Sequence, residues 1–498
     1  MFFLLLFGGC RLGQPPEAMP IIEAEGQIVI VHTNDLHAHF RPSSSEAGLV
    51  GGAEAISAHV ESLREQWGDD RLLFLDAGDI ISGSPLDNYE VSGVRGGAMV
   101  ELLEALKYDA WTIGNHEFDG GVEQAAGLVK ASDIPVLSAN LDNPDGSPAL
   151  GMLNSKIFEV GPYKVQVIGV TTENLAGMTN KGLGSIVIKP AEEAVRQELA
   201  EGVDLHLALS HLGFEKDKEL AERVPELDLI VGGHSHTWLT EPERVGNTII
   251  LQAGSYAQGV GVAVLTPQPD DAAQIEYVLA RPSADKTEGA LPEVKEFVNR
   301  WGRIIDREWG EAVGHSELHL WRSGDEESPM GRFVGMALRK GTSADVAVYN
   351  AGGLRADFQK GPITRADLHA AFPFGNEVVV VEVTGADLYG LALRNANAMF
   401  APEISSVIQQ QGLSYTYRKR LNTAELISLQ VNRQRVEPDE VYRIATSDFM
   451  VSHWSRLMGQ GQSGKVTGTG KTVAETVGVV LKEGPITEIP PKGGILVE

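Results

Sequence analysis

The sequence predicts an α/β protein in which a layered domain is followed by a second, smaller α/β domain. From Gln27 to about Thr266, nearly continuous apolar segments alternate with amphipathic helical segments, which is typical of strands covered on both faces. A polar stretch with Pro and Asp follows at 268–290, and the apolar pattern returns from about residue 311. The 498 residues correspond to about three domains of usual size, although larger domains are common.

The first domain is predicted to contain strands separated by helices. Ala191, Ala194, Val195 and Leu199 recur at helical spacing, which predicts a helix over 189–200, and a second helical pattern covers 51–66. A Gly-Pro pair between the segments 157–160 and 165–170 predicts a hairpin and therefore a mixed sheet. The predicted strands are 27–34, 72–76, 110–114, 136–139, 165–170, 204–210, 228–232 and 248–252.

The second domain is predicted to follow a linker helix over 292–309. Its strands are expected near 345–349, 378–383, 426–430 and 441–446. The expected organisation is a signal or tether at 1–26, a first domain at 27–285, the linker helix at 286–310, and the second domain at 311–498.

Composition and charge exclude several classes of protein. There are 41 Lys and Arg against 68 Asp and Glu, so the net charge is 41 − 68 = −27, and binding to duplex nucleic acid is not expected. The excess of acidic residues is interpreted as a solvated surface. The single cysteine, Cys10, excludes an intrachain disulfide framework and a thiolate zinc cluster.

The N-terminal segment resembles a bacterial lipoprotein signal. Six apolar residues, Phe2 to Phe7, lead through two glycines to Cys10, although a basic n-region is missing and the apolar run is short. We therefore expect an extracytoplasmic bacterial protein, periplasmic or anchored to the membrane by a lipid on Cys10, with 11–20 as a tether. The alternative is an uncleaved tail with an accidental cysteine.

Polar residues follow the predicted strands of the first domain. Open α/β sheets bind ligands at the carboxyl ends of their strands, so these residues are expected at one edge. Asp35 and His37 are two positions apart, as are His234 and His236, and on an extended backbone each pair points the same way. The candidate donors are Asp35, His37, Asp79, Asn115, His211, His234 and His236.

This donor set predicts two divalent metal ions. Imidazole, carboxylate and amide groups without thiolate suit Mn, Zn, Fe, Co or Ni, and Mg is also kept open. Seven donors exceed the three protein ligands usual for one catalytic metal. They fit two metals about 3.5–4 Å apart, which would clamp the attacking and leaving oxygens of a phosphoryl displacement, with Asp79 as the bridging carboxylate. Six other histidines are interpreted as core or surface residues: His32, His59, His206, His315, His319 and His369.

These motifs resemble those of the calcineurin-like metallophosphoesterases and, more closely, the 5′-nucleotidase / UDP-sugar hydrolase family. The resemblance implies an N-terminal four-layer αββα metallophosphoesterase domain, a linker helix, and a smaller α/β substrate-binding domain. The segments that carry it are HTNDLHAH (32–39), DAGD (76–79), GNHEFDGG (114–121), SHLG (210–213), GGHSH (232–236), NAGGLRADF (350–358) and FPFGNEV (372–378).

The resemblance also assigns roles to single residues. His116 and Asp119 would form a catalytic dyad, with the imidazolium stabilising charge on the phosphoryl group, and a water or hydroxide on the metals would be the nucleophile. Asn350 and Arg355 would contact the phosphate and the substrate, with Arg355 suited to bidentate phosphate binding, and Phe374 would stack on one face of the nucleobase. The alternatives are a surface ion pair for Arg355 and core packing for Phe374. One metal would be held by Asp35, His37, Asp79 and His236, and the other by Asp79, Asn115, His211 and His234.

The C-terminal part departs from the family pattern. Thr446 to Phe449 match its opening, but the glycine-rich part survives only as 459–461, and the only aromatic residue after Phe449 is Trp454. Arg332 stands where the family has Asn, and Arg322 is the nearest substitute for a missing Arg. The geometry around a nucleobase is therefore left open.

The sequence thus predicts a phosphohydrolase that releases phosphate from 5′-nucleotides or related small phosphate esters. Two alternatives share the metal centre: a 2′,3′-cyclic nucleotide phosphodiesterase with 3′-nucleotidase activity, and a nucleotide-sugar hydrolase. A thiosulfohydrolase and a non-catalytic surface binding protein are more remote. The oligomeric state is left open.

Overall fold

The computed structural model describes residues 26–45, 48–179, 181–267, 273–400, 406–421, 423–455 and 464–497, and it confirms the α/β class. The N-terminal signal, with Cys10, and the glycines at 459–461 lie outside the described residues. The described part divides into two compact units, the first holding most of the chain before Asn299 and the second most of it from Arg300 onward. The domain limits expected from the sequence stay a prediction.

The first unit contains two six-stranded sheets, each of them mixed. In the first sheet, Ile28–Thr33 is parallel to Leu72–Asp76 on one side and antiparallel to Val260–Thr266 on the other. The order of strands across this sheet is Gln274–Ala280, Val260–Thr266, Ile28–Thr33, Leu72–Asp76, Ala110–Thr112 and Val136–Leu137.

The second sheet confirms the predicted hairpin, because Ser155–Val160 is antiparallel to Tyr163–Thr171. Its three central strand pairs are parallel. The order of strands across this sheet is Ser155–Val160, Tyr163–Thr171, Leu205–His211, Leu229–Gly232, Thr248–Leu251 and Glu243–Val245.

The two sheets pack face to face between helical layers. Ile30 and Leu75 of the first sheet share one buried apolar cluster with Val167 and Leu209 of the second. The other face of the second sheet packs against the helices Ala191–Glu198 and Phe214–Arg223. The layers are therefore helix, sheet, sheet, helix, as the sequence predicts. The helix Ala53–Trp67 contacts the strand Leu72–Asp76 of the first sheet, and the other helices of this part of the chain are Gly97–Ala105 and Val122–Ala131.

The register of the parallel strands brings their carboxyl ends level with one another. Thr33 is paired with Asp76 and Asp76 with Trp111 in the first sheet, and Ser210 is paired with Gly232 in the second. The loops that carry the candidate donors therefore leave the sheets at one height. The strand Ala110–Thr112 ends earlier than predicted. Beyond its end, the backbone N–H of Gly114 donates to a side-chain carboxylate instead of to a neighbouring strand.

The helix Pro292–Trp309 lies where the sequence predicts a linker helix. The second unit has a five-stranded sheet with cores on both faces, one of which includes Val381 and Leu391 and the other Phe333 and Val477. The strands of this sheet, in order, are Gln409–Gln411, Val346–Tyr349, Val441–Ser447, Glu377–Thr384 and Val466–Thr472. A four-stranded sheet is formed by Gln434–Arg435, Thr423–Val431, Leu413–Arg420 and Gly494–Leu496.

Shorter elements complete the described residues. The two-stranded sheets are Ser43–Ser45 with Gly48–Val50, Glu90–Val91 with Val94–Arg95, Leu141–Asp142 with Val187–Ile188, and Ala312–Ser316 with Gly361–Thr364. The helices of the second unit are Pro329–Thr342, Arg365–Ala371, Gly385–Ala398, Asp448–Ser452 and Val473–Leu481. Within the described ranges, none of the helices combines the length and the apolar character needed to cross a bilayer.

Replacement of His32 by Phe is expected to make the first unit less sensitive to acid. Burial lowers the pKa of His32 to about 3, and among the described residues neither ring nitrogen has a hydrogen-bond partner. Below the ordinary pKa of a histidine, the unfolded chain therefore binds one more proton than the folded chain. The free energy of unfolding then falls as pH falls, by about 1.4 kcal/mol per pH unit for a single group. His32→Phe keeps a ring in place of the imidazole that stacks on Tyr277 and removes this dependence.

The measurement is urea unfolding of the wild type and of His32→Phe between about pH 7 and pH 5. The readout is the slope of the unfolding free energy against pH. The exposed His315, replaced by Gln, serves as the control and is expected to leave the slope unchanged. An equal slope in His32→Phe and the wild type would show that another group causes the acid sensitivity.

Candidate metal centre

The first group of donors comes from two loops of the first unit. The ligand atoms of Asp35, His37 and His236 all lie within 4.8 Å of one another. The Nε2 atoms of His37 and His236 are 3.0 Å apart, and His236 Nε2 is 3.2 Å from Asp35 Oδ1. Asp35 and His37 are fully buried, whereas His236 is partly exposed. Three donors that converge on one point from buried and half-buried positions can hold a cation.

A second group is formed by Asp79, His211 and His234. His211 Nε2 lies 3.1 Å from Asp79 Oδ2, and the rings of His211 and His234 are 5.1 Å apart between centroids. His211 Nδ1–H donates to the carbonyl oxygen of Ala77 at 2.6 Å. Because Nδ1 donates to this carbonyl, Nε2 is the ring atom that faces the group.

Asp79 lies between the two groups. Its Oδ2 atom is 3.9 Å from His37 Nε2, which belongs to the first group, and 3.9 Å from His116 Nε2. Its Oδ1 atom accepts a hydrogen bond from the backbone N–H of His116 at 2.8 Å. One carboxylate therefore has oxygen atoms in reach of donors from both groups.

Asn115 follows the strand Ala110–Thr112, and its side-chain amide oxygen is a further candidate ligand for a cation. Its Oδ1 atom is buried and has no hydrogen-bond partner among the described residues. A buried carbonyl oxygen without a donor is costly in a protein, and a cation is a partner that removes this cost. Together with the imidazole and carboxylate donors, this orphaned oxygen fits a divalent cation of hard or borderline character.

His116 and Asp119 form a pair beside these groups. His116 Nδ1–H donates to Asp119 Oδ2 at 2.8 Å, across the short helical turn His116–Phe118. Because Nδ1 is occupied in this way, Nε2 is the atom that points toward Asp79. The pair thus presents one oriented imidazole nitrogen at the edge of the donor groups.

The electrostatics of the centre favour ionised carboxylates next to imidazoles. Burial opposes the ionisation of Asp79, but the positive charge of the protonated rings of His211 and His116 outweighs it and holds the pKa of Asp79 well below its ordinary value. Burial lowers the pKa of His234 to about 4, so this ring is neutral and keeps a lone pair for a ligand bond at neutral pH.

The structure corrects the expectation that each pair of donors two positions apart lies on an extended backbone. Asp35 and His37 have φ values of 52° and 48°, and His234 and His236 have φ values of 71° and 55°, so neither pair lies on an extended backbone. His234 and His236 belong to different donor groups, whereas Asp35 and His37 share one. Non-glycine residues in the left-handed region cost roughly 1–3 kcal/mol each and cluster at functional sites.

Two residues at the centre were not singled out from the sequence. Glu117 is fully buried and accepts backbone hydrogen bonds from Asp79, Ile80 and Gly114 at 3.3, 2.9 and 2.7 Å; burial raises its pKa to about 8. Asn34 donates to Asp35 Oδ2 at 2.6 Å. Both belong to the quoted motifs GNHE and HTND, which was the signal available, but neither is a candidate ligand.

The substrate residues expected from the sequence lie in the second unit. Asn350 follows the strand Val346–Tyr349, and Phe374 precedes the strand Glu377–Thr384. The Arg355 guanidinium carbon lies 5.8 Å from the centroid of the Phe374 ring, and Asn350 Oδ1 is buried without a hydrogen-bond partner among the described residues. Arg355 and Phe374 are thus neighbours, although they are 19 positions apart in the sequence.

The aromatic residue that remains in the divergent C-terminal stretch is not available as a clamp. Trp454 is 5% exposed and belongs to a core cluster of the second unit. Phe449 instead stacks on His453, with ring centroids 4.4 Å apart. Arg332 donates to the Pro490 carbonyl at 2.6 Å, whereas Arg322 Nη1 donates to the Leu354 carbonyl at 3.2 Å, beside Arg355.

Comparison with known families gives two matches along the chain. Residues 28–238 match the calcineurin-like phosphoesterase family, and residues 308–460 match the 5′-nucleotidase C-terminal domain. The chain thus carries matches to both domains of the 5′-nucleotidases, a calcineurin-like phosphoesterase domain followed by a 5′-nucleotidase C-terminal domain. It is therefore a metal-dependent phosphoester hydrolase by family, with both the catalytic and the C-terminal domain present.

Individual relatives agree with this family. The trifunctional nucleotide phosphoesterase YfkN of Bacillus subtilis is 27% identical over 85% of this chain, and the chain spans about a third (32%) of its length. The 5′-nucleotidase precursor of Thermus thermophilus is 26% identical with a TM-score of 0.82, covering 95% of this chain and 99% of that one. The sulfate thiohydrolase SoxB of the same species shares the fold, at 20% identity and a TM-score of 0.80, over 96% of this chain and 98% of that one.

Replacement of Gly114 by Ala is expected to disrupt the donor groups without unfolding the first unit. A Cβ atom at this position would overlap Asp79 Oδ1 and lie 2.8 Å from His211 Nε2. We expect divalent metal to bind about 10- to 100-fold more weakly, as measured by equilibrium dialysis with Mn²⁺. Gly390→Ala, where a Cβ meets nothing within 4 Å, is the control. Unchanged Mn²⁺ binding by Gly114→Ala would contradict the packing described here.

Proposed function

We propose that this protein releases phosphate from 5′-nucleotides or closely related phosphate esters at a dinuclear metal centre. The observation that carries the proposal is the pair of donor groups that meet at Asp79, since one bridging carboxylate and two sets of imidazoles are what two neighbouring cations require. The family supplies the reaction class, and the number of metals and the substrate are the finer part of the proposal.

Seven residues would hold the two cations. Asp35, His37 and His236 would hold one, His211, His234 and Asn115 the other, and Asp79 would contact both. Bound cations would lower the pKa of a coordinated water and offset the charge that develops on the phosphoryl oxygens. Mn, Zn, Co, Fe, Ni and Mg all remain candidates, because the donors are nitrogen and oxygen atoms without sulfur.

His116 is proposed to stabilise charge on the phosphoryl group. Asp119 holds Nδ1–H, so Nε2 is the atom that can donate a hydrogen bond to a phosphate oxygen when the ring is protonated. Asp119 favours that protonated form by its negative charge. The role of this pair is thus to bind and orient, and to hold a proton at Nε2.

The second unit is proposed to bind the rest of the substrate. Arg355 offers a planar guanidinium suited to bidentate contact with phosphate, and Asn350 offers a side-chain amide. The Phe374 ring, next to Arg355, offers a flat apolar face for a nucleobase. Arg322, which contacts the loop that carries Arg355, adds a second cationic group beside these residues.

Two observations support an extracytoplasmic location. The N-terminal apolar run before Cys10 resembles a secretory signal, and the Thermus relative is described as a precursor. Lipid attachment at Cys10 remains part of the proposal.

The first test is phosphate release from 5′-AMP by the purified protein. We expect release with Mn²⁺, loss of release with EDTA, and recovery when Mn²⁺ is added in excess. Asp35→Asn is the inactive control. Release by the wild type that persists in EDTA would contradict a metal-dependent centre.

A panel of other substrates separates the alternatives. Metal-dependent cleavage of bis-p-nitrophenyl phosphate or a 2′,3′-cyclic nucleotide, without release from 5′-AMP, would move the assignment to a phosphodiesterase. Preference for a nucleotide sugar or for a thiosulfonate would favour the other hydrolases. Inactivity on every substrate would favour a binding protein on an enzyme scaffold.

Replacement of Phe374 by Ala is expected to weaken binding of nucleotides and to leave esters without a base unaffected. Stacking of a base on an aromatic ring contributes about 1–3 kcal/mol, so we expect KM for 5′-AMP to rise about tenfold. KM for ribose 5-phosphate should stay within about twofold of the wild type, because that ester lacks a base to stack. Tyr389→Ala, at an exposed position on the helix Gly385–Ala398, is the control. An equal rise for both substrates would assign Phe374 to the core.

A further inference from the structure

Gln252 is a buried amide that touches the loop carrying His234 and His236 at three places. It follows the strand Thr248–Leu251 and is fully buried. Its Nε2–H donates to the Gly233 carbonyl at 2.8 Å, and its Oε1 atom accepts hydrogen bonds from Ser235 Oγ, at 2.9 Å, and from the Thr237 backbone N–H. One side chain thus holds the residue before, the residue between and the residue after the two histidines.

The same segment of chain also holds the other donor loop. Asn34 Nδ2 donates to both Asp35 Oδ2 and the Gly254 carbonyl, each at 2.6 Å, and its Oδ1 atom accepts from the Ala253 N–H at 2.8 Å. The His234 N–H donates to Asp35 Oδ2 at 2.9 Å. The same N–H also lies 3.2 Å from Asp35 Oδ1, and this oxygen faces His236 Nε2 at 3.2 Å.

The backbone of the histidine loop needs such support. His234 and His236 both lie in the left-handed region, where residues other than glycine are strained. The two rings belong to different donor groups, so the position of this loop decides where each of them lies. A relaxed loop would lose the divergence of the rings before it lost the fold, because the strands on either side are fully buried.

We propose that Gln252 is a positioning residue for the metal centre. By fixing the backbone from Gly233 to Thr237, it holds His234 toward Asp79 and His236 toward Asp35. It contacts no candidate ligand atom, so its action is through the loop. The inference rests on the proposed dinuclear centre and adds to it the residue that sets the separation of the two histidines.

Gln166 provides a matched control in the same sheet. It is also a buried glutamine, 2% exposed, whose Nε2–H donates to the Glu198 carbonyl at 2.7 Å and whose Oε1 accepts from the Ala200 N–H at 3.0 Å. Gln166 is paired with His206, near the start of the strand Leu205–His211. It therefore lies toward the amino ends of the parallel strands, whereas the donors lie at their carboxyl ends. Its hydrogen bonds hold a loop that carries no candidate ligand.

The test is a titration of the metal-free, full-length protein with Co²⁺, followed by visible absorption. Gln252→Leu removes all three hydrogen bonds at similar volume, and we expect Co²⁺ affinity to fall about 10- to 100-fold with a changed absorption band. Gln252→Glu keeps both acceptor contacts and loses the donor, so an intermediate loss is expected. Gln166→Leu is expected to lower Tm while leaving Co²⁺ affinity and the band as in the wild type.

The outcomes separate this inference from the proposed function. Absence of Co²⁺ binding by the wild type would reject the metal centre itself, and with it the role of Gln252. Binding by the wild type that is equally tight in Gln252→Leu would reject only the positioning role, and a Tm loss shared with Gln166→Leu would then mark Gln252 as a packing residue. If Gln252→Leu does not fold, the Gln252→Glu titration decides between the same two results.

Discussion

The Asp79 carboxylate is the contact on which the candidate centre depends. One of its oxygens faces His211 at 3.1 Å and His37 at 3.9 Å, and the other is fixed by the backbone of His116. The carboxylate can occupy this place because neighbouring parallel strands end level with one another and release their loops at one height. The sheet register is therefore the cause, and the meeting of the donor groups is its consequence.

The charge of the chain makes this local arrangement necessary. With a net charge of −27, the protein as a whole repels a phosphate ester. Cations bound at the candidate metal centre would reverse the sign of the potential locally. The acidic composition and the metal-dependent reaction class thus agree, because bound cations would attract a phosphate ester that the net charge repels. The same net charge limits non-specific association with nucleic acid.

Much of the fold and of the candidate site could be predicted from the sequence. The remaining features could not, for physical reasons. The strands, the hairpin and the donors at strand ends follow from local patterns of apolar and polar residues. The direction of His234 and His236 does not, because it depends on left-handed backbone angles that only tertiary hydrogen bonds maintain. The role of Gln252 could not be predicted for the same reason, since a single polar residue after an apolar strand forms no recognisable sequence pattern. The burial of Trp454 could be decided only once the core of the second unit was known.

The pairing of Ile28 with Leu265 has a consequence for biosynthesis. The strand Ile28–Thr33 is made before the other strands of its sheet, yet its antiparallel neighbour emerges only after most of the first unit has been synthesised. Until then this largely apolar strand can pair with Leu72–Asp76 on one side only, and its other edge is of the kind to which other chains add. In the second unit, Gly494–Leu496 is likewise made after the other strands of its sheet. The sheet that holds each of these pairings is therefore completed only when its late strand has been made.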